Sequence, residues 1–118
     1  MPKKQPFRTP NEVAQDHITA VLAGDPKQMA ADYAHNAVLE RDEGTYSGIR
    51  EIEDYFLTVP KRLGESIIYF DQLIIEGSTA TFFWRIVGER LEVSGTDVLT
   101  ITNGEITYQK VNLNTPDF

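Results

Sequence analysis

Apolar residues recur at helical spacing in the first half of this chain and in alternation in the second. The stripe Val13, His17, Ala20 and Val21, flanked by Ala14, Ile18 and Leu22, predicts an amphipathic helix that ends at Gly24. Thr9-Pro10-Asn11-Glu12 starts it with a cap, a first-turn proline and a glutamate three residues after the cap. Asp25-Pro26-Lys27-Gln28 starts a second, short helix expected to end near Tyr33. Ala37–Asp42 reads as a first strand, with Glu43-Gly44 turning out of it. Ser47 is then expected to cap a third helix, buried along Ile49, Ile52, Tyr55, Phe56 and Val59. Pro60 should kink or end that helix, and Gly64 should close it.

The second half reads as strands. Ser66–Ile75, Thr79–Val87 and Leu91–Thr102 are rich in β-branched and aromatic residues and are separated by glycine-containing turns. Asn103-Gly104 is a strong hairpin signal leading into Ile106–Leu113. Three helices followed by a meander of long strands is an α+β pattern, with the helices on one face of a curved, mostly antiparallel sheet. Within Leu91–Thr102 the odd positions are Leu91, Val93, Gly95, Asp97, Leu99 and Ile101. Strand alternation turns Asp97 toward the same face as these apolar neighbours, with Val98 and Thr100 opposite. A carboxylate there must pair, take hydrogen bonds or hold a proton.

Composition narrows the possibilities. At 118 residues, with 41% hydrophobic and 25% charged, the chain suits one globular domain. We expect a flexible tail over residues 1–8 and a single domain over 9–118. Net charge is −7, and Lys3-Lys4 is the clearest basic cluster, which argues against nucleic acid or an anionic membrane as partner. With no cysteine, disulfides, thiolate nucleophiles and thiolate metal sites are excluded. His35 reads as a solvated loop residue, and two distant histidines do not make a metal-site pattern. The polar start lacks a signal-peptide core and no run could span a bilayer, so cytoplasm is the expected compartment.

Four strings together carry a family resemblance: Ala23-Gly24-Asp25, Tyr33-Ala34-His35-Asn36-Ala37-Val38, Tyr46-Ser47-Gly48-Ile49-Arg50-Glu51-Ile52, and the run from Gly95 to Ile106. In this order they resemble the nuclear transport factor 2-like superfamily, in its ketosteroid isomerase and SnoaL-type polyketide cyclase branch. The resemblance implies a cone-shaped roll in which a bent sheet wraps an apolar pocket closed by helices. It also implies homodimers through the sheet, and residues on both strand faces, among them Ile68, Phe70, Val98 and Thr100, invite that covering. Ketosteroid isomerases use a helix-1 tyrosine, a protonated late-strand aspartate and a proton-shuttling aspartate on the first strand. On this chain the matching positions hold His17, Asp97 and Arg41. An arginine cannot serve as the base, and Asp42, one step along, faces the other way. The resemblance therefore implies SnoaL-type chemistry, with one acid/base aspartate, rather than steroid-type isomerisation.

Each candidate has a plainer alternative. Asp97 is an acid, base or ligand anchor, or a structural carboxylate satisfied by Arg41, His17 or backbone donors. His17 is its polar partner in catalysis or a satisfied core histidine. Arg41 clamps an anionic ligand group, or pairs with Asp97, Glu40 or Asp42. Phe82 and Trp84 share a strand register and, with Tyr55, Phe56 and Leu99, line either a pocket or a plain core; Val111 and Leu113 complete the wall, and Gln109 offers a hydrogen bond. The expected function is a cofactor-free isomerase- or cyclase-type protein acting on a small apolar or aromatic molecule with a polar head. A non-catalytic ligand-binding or dimeric accessory module is the alternative, and a pure interaction domain with a self-filled interior is a third.

Overall fold

A computed structural model of the chain describes residues 7–89 and 92–114. Expectations for Lys3, Lys4 and Leu91 lie outside the described residues. Helix α1 (Pro10–Ala23) begins at the expected capping box, with Thr9 Oγ1 accepting from the Glu12 amide and the Glu12 side chain accepting from the Thr9 amide. It ends at Gly24, whose φ of 70° is left-handed. Helix α2 (Pro26–Ala31) is capped by the Asp25 carboxylate and is shorter than expected. Strand β1 (Tyr33–Arg41) accordingly starts four residues earlier than its alternation suggested, which makes Tyr33 a strand residue. Arg8, assigned to the tail, is fastened instead: it donates to Asp16, Asp32 and the Gly104 carbonyl.

Gly44–Ser47, read as a turn and a cap, is a short strand β2 paired antiparallel to β1. Gly48, at φ 87°, is therefore the cap of helix α3 (Ile49–Leu63). Pro60 does not stop this helix. It stands in the last turn, where the single bond it removes is the one to Phe56, and the Gly64 amide still closes on the Pro60 carbonyl at 2.9 Å. The meander follows as β3 (Ile67–Glu76), β4 (Thr79–Val87), β5 (Glu92–Thr102) and β6 (Glu105–Leu113). Asn103 and Gly104 both adopt positive φ, the twist that a two-residue hairpin needs.

The six strands form one curved, unclosed sheet in the order β2-β1-β6-β5-β4-β3, antiparallel except for the β1–β6 pair. The three helices pack on its concave face, the α+β arrangement expected. Facing pairs Phe82–Asp97, Ala80–Leu99 and Asp97–Val111 put the inward residues of three neighbouring strands on one surface. Phe70 lies opposite Trp84 and Ile68 opposite Ile86, so both face the interior and not the outer side. The run Ile67–Phe70 is apolar in both parities, and only its pairing with β4 selects the inward one. The residues left exposed outside are Ile67, Tyr69 and Phe83. Among the described residues, no helix is long and apolar enough to cross a membrane.

Candidate functional site

A cavity opens between the concave sheet and the helices. Its volume is about 60 Å³. Helices α1 and α3 supply His17, Val21, Tyr55, Phe56, Val59 and Leu63; the sheet supplies Ile68, Phe70, Phe82 and Trp84 with Arg41, Asp97, Gln109 and Val111. Of the residues expected to line a pocket, Leu99 and Leu113 do not reach it. Leu99 is fully buried beneath, and Leu113 packs against the core from the sheet's far end. Val21, Val59, Leu63, Ile68 and Phe70 are further wall residues that the sequence did not single out for the pocket.

Asp97 lies at the cavity, 8% exposed. Neither Arg41 nor His17 bonds it. Trp84 Nε1 donates to its Oδ1 at 2.8 Å and Gln109 Nε2 to its Oδ2 at 2.7 Å. Both donors are neutral. Burial dominates and pushes the carboxyl up to about 6, against the smaller lowering by Trp84, His17, Gln109 and Arg41. The Trp84 ring can reach Asp97 because Gly95 faces it across the strands. A Cβ at Gly95 would stand 2.4 Å from Trp84 Cζ2 and 2.8 Å from the Asn112 carbonyl oxygen.

His17, 2% exposed, joins Asp97 indirectly. Tyr33 Oη donates to Gln109 Oε1 in a close hydrogen bond, and His17 Nε2 lies 3.5 Å from the same hydroxyl. On the other side His17 Nδ1 faces Asp32 Oδ2 at 3.7 Å, and Arg8 holds Asp32 Oδ1 at 2.9 Å. Burial works to raise Asp32, but His17 and Arg8 outweigh it and hold the carboxyl below its ordinary value. A polar chain thus runs Arg8–Asp32–His17–Tyr33–Gln109–Asp97. Tyr33 and Asp32 were missed because they fall at a helix-to-strand boundary, where neither periodicity applies; the parallel pairing of β1 with β6 is what brings Tyr33 to Gln109.

Arg41, whose side chain is 1% exposed, pairs with none of Asp97, Glu40 or Asp42. Its Nε donates to Glu43 Oε1 at 2.9 Å and its Nη1 to Tyr55 Oη at 2.6 Å. Nη2 is buried and has no partner. Burial tends to lower this guanidinium, while Tyr55 and Glu43 more than compensate and keep it charged. Among the described residues no cluster of three or more His, Asp or Glu is placed to hold a metal ion.

Comparison with known proteins agrees with this architecture. The SnoaL-like domain matches residues 14–109. No functionally curated protein matches the sequence. Among solved structures, a candidate polyketide cyclase from Sinorhizobium meliloti superposes with a TM-score of 0.75 at 18% identity, covering 85% of this chain and 93% of its own. A candidate ketosteroid isomerase from Kribbella flavida DSM 17836 gives 0.79 at 13%, covering 92% and 80%. TerC, co-crystallised with polyporic acid, gives 0.74 at 17%, covering 90% and 92%. At these identities the likeness establishes the fold and leaves the chemistry to the site.

Proposed function

The chain belongs to the SnoaL-like domain family, and from that premise we propose that it binds a small apolar or aromatic molecule with a polar head and moves a proton on it through Asp97. One observation carries this reading: Asp97 is buried at a cavity wall between two neutral donors, with its carboxyl at about 6. Such a group populates both protonation states near neutrality, as a general acid or base requires. Isomerisation, aldol-type cyclisation and dehydration each need a proton taken at one atom and given at another, and a carboxyl group does this without a cofactor. His17 lies along the same polar chain. Arg41, Tyr55, Phe56, Phe82, Trp84, Gln109 and Val111 contact the ligand. Steroid-type isomerisation is disfavoured, since an arginine occupies the position of its base.

The second reading, a non-catalytic ligand-binding module of the same fold, draws on the small volume of the void. Asp97→Asn separates the two when combined with a thermal-shift screen of steroids, polyketide fragments and aromatic acids. Turnover of any hit should fall about 10²–10⁴-fold in a protein that still folds and binds. A parent that binds hits and turns none of them over would leave the binding module, and a variant as active as the parent would remove Asp97 from the chemistry. We further infer a cytoplasmic homodimer of domains spanning 9–118, joined through the outer sheet face that exposes Ile67, Tyr69 and Phe83. It should bury more than ~1,000 Å² in total, and a monomer by light scattering at micromolar concentration would refute it.

A further inference from the structure

We propose that the cavity selects an aromatic organic acid, held among aromatic walls with its anionic oxygen on Arg41 Nη2 and Tyr55 Oη. This deepens the pocket reading and depends on it for the existence of a ligand, but not for any proton transfer.

The first observation is the unspent donor. Arg41 is 5% exposed and stands on the cavity wall, with Nε used by Glu43 and Nη1 by Tyr55, while Nη2 has neither a partner nor room for a water beside it. A guanidinium remains charged at any accessible pH, so an unmatched N–H on it is costly to bury. Asp97, on the same cavity, is bound elsewhere and does not relieve it. Tyr55 supplies a second donor. Its oxygen accepts from Nη1, which leaves its own hydrogen for another acceptor, and burial pushes this phenol up to about 12, so it keeps that hydrogen. The two donors are adjacent, as the two oxygens of a carboxylate, or the one oxygen of an acidic enol, require.

Charge and shape point the same way. Arg41 and Arg62 both approach the Tyr55 ring, at 5.2 and 5.8 Å from its centroid, with Glu43 between them. Asp97 repels a second anionic group, so one acidic group directed to Arg41 is the favoured arrangement. The void is walled by Phe56, Phe70, Phe82 and Trp84, and aromatic walls favour a ligand that carries an aromatic ring. Because Nη2 is closed off from water, a wall side chain must shift to admit the ligand oxygen, and satisfying the buried donor offsets that movement.

The test compares benzoate and 2-naphthoate with their uncharged isosteres benzamide and 2-naphthamide, by isothermal titration at pH 7.5, while the Asp97 carboxyl is followed by NMR. The acids should bind about tenfold or more tightly than the amides. Arg41→Met should erase that preference. Should Arg41→Met fold poorly, Glu43→Gln serves: Glu43 is 43% exposed, and losing its charge should tighten the acids several-fold and leave the amides unchanged. Amides that match the acids while perturbing Asp97 would overturn the anion assignment and leave the pocket reading intact. An acid preference that survives Arg41→Met and is indifferent to Glu43→Gln would overturn it as well. So would the absence of binding by all four compounds at millimolar concentration.

Discussion

Asp32 and Asp97 are two aspartates buried to nearly the same degree, 6% and 8% exposed, whose acidities move in opposite directions. Burial pushes both upward. At Asp32 two partners that carry or can carry positive charge, His17 and Arg8, reverse the push; at Asp97 the contacting donors are the neutral groups of Trp84 and Gln109. The charge of the partner decides the outcome, not the depth of burial. One carboxylate is thereby fixed as an anion between Arg8 of the N-terminal segment and His17 of α1. The other is left poised to exchange a proton at the cavity.

The largest expected effect is on stability against pH. The folded state holds the Asp97 proton up to about 6, above its ordinary value, so Asp97 contributes stability at low pH that is lost as pH rises through that window. The loss should be on the order of 3 kcal/mol, complete above about pH 6. Urea unfolding of the parent and Asp97→Asn at pH 4.5 and 7.5 checks it. The difference between the two proteins should shift in favour of Asn at the higher pH; a constant difference would mean that Asp97 titrates normally.

Gly95→Ala comes next. The new methyl would displace the Trp84 ring or the Asn112 carbonyl, and such overpacking costs about 1–3 kcal/mol. Loss of the Trp84 donor should carry Asp97 higher still, while Asp32 does not move. Carbon-detected titration of both carboxyls would sharpen the contrast, and an unchanged Asp97 would show that Trp84 does not control it.

The smallest effects belong to the Asp32 side. Asp32→Asn leaves Arg8 with Asp16 alone and takes the carboxylate from beside His17, and should cost about 1–2 kcal/mol, modest because Arg8 is partly exposed. Arg8→Met should cost less than about 1 kcal/mol. In that variant Asp32 should rise toward its ordinary value with Asp97 unmoved, read in the same titration. Equal movement of both would mean that the polar chain couples them, and the contrast would collapse.

The sequence alone determined the local features, since each is set by residues within a few positions of one another. The Thr9–Glu12 capping box and the Asp25-Pro26 cap marked the first two helix starts, Asn103-Gly104 marked the last hairpin, and alternation turned Asp97, Phe82 and Trp84 inward. The family strings then supplied the cone. Tertiary structure decided the partners. Arg41 chose Glu43 and Tyr55 over Asp97, and Asp97 chose Trp84 and Gln109 over His17. Phe70 turned inward through its pairing with Trp84, and Tyr33 met Gln109 through a parallel pairing 76 residues away in the chain. Periodicity reports which face a side chain takes; whom it meets there depends on register between distant strands, and no short window of sequence contains that information.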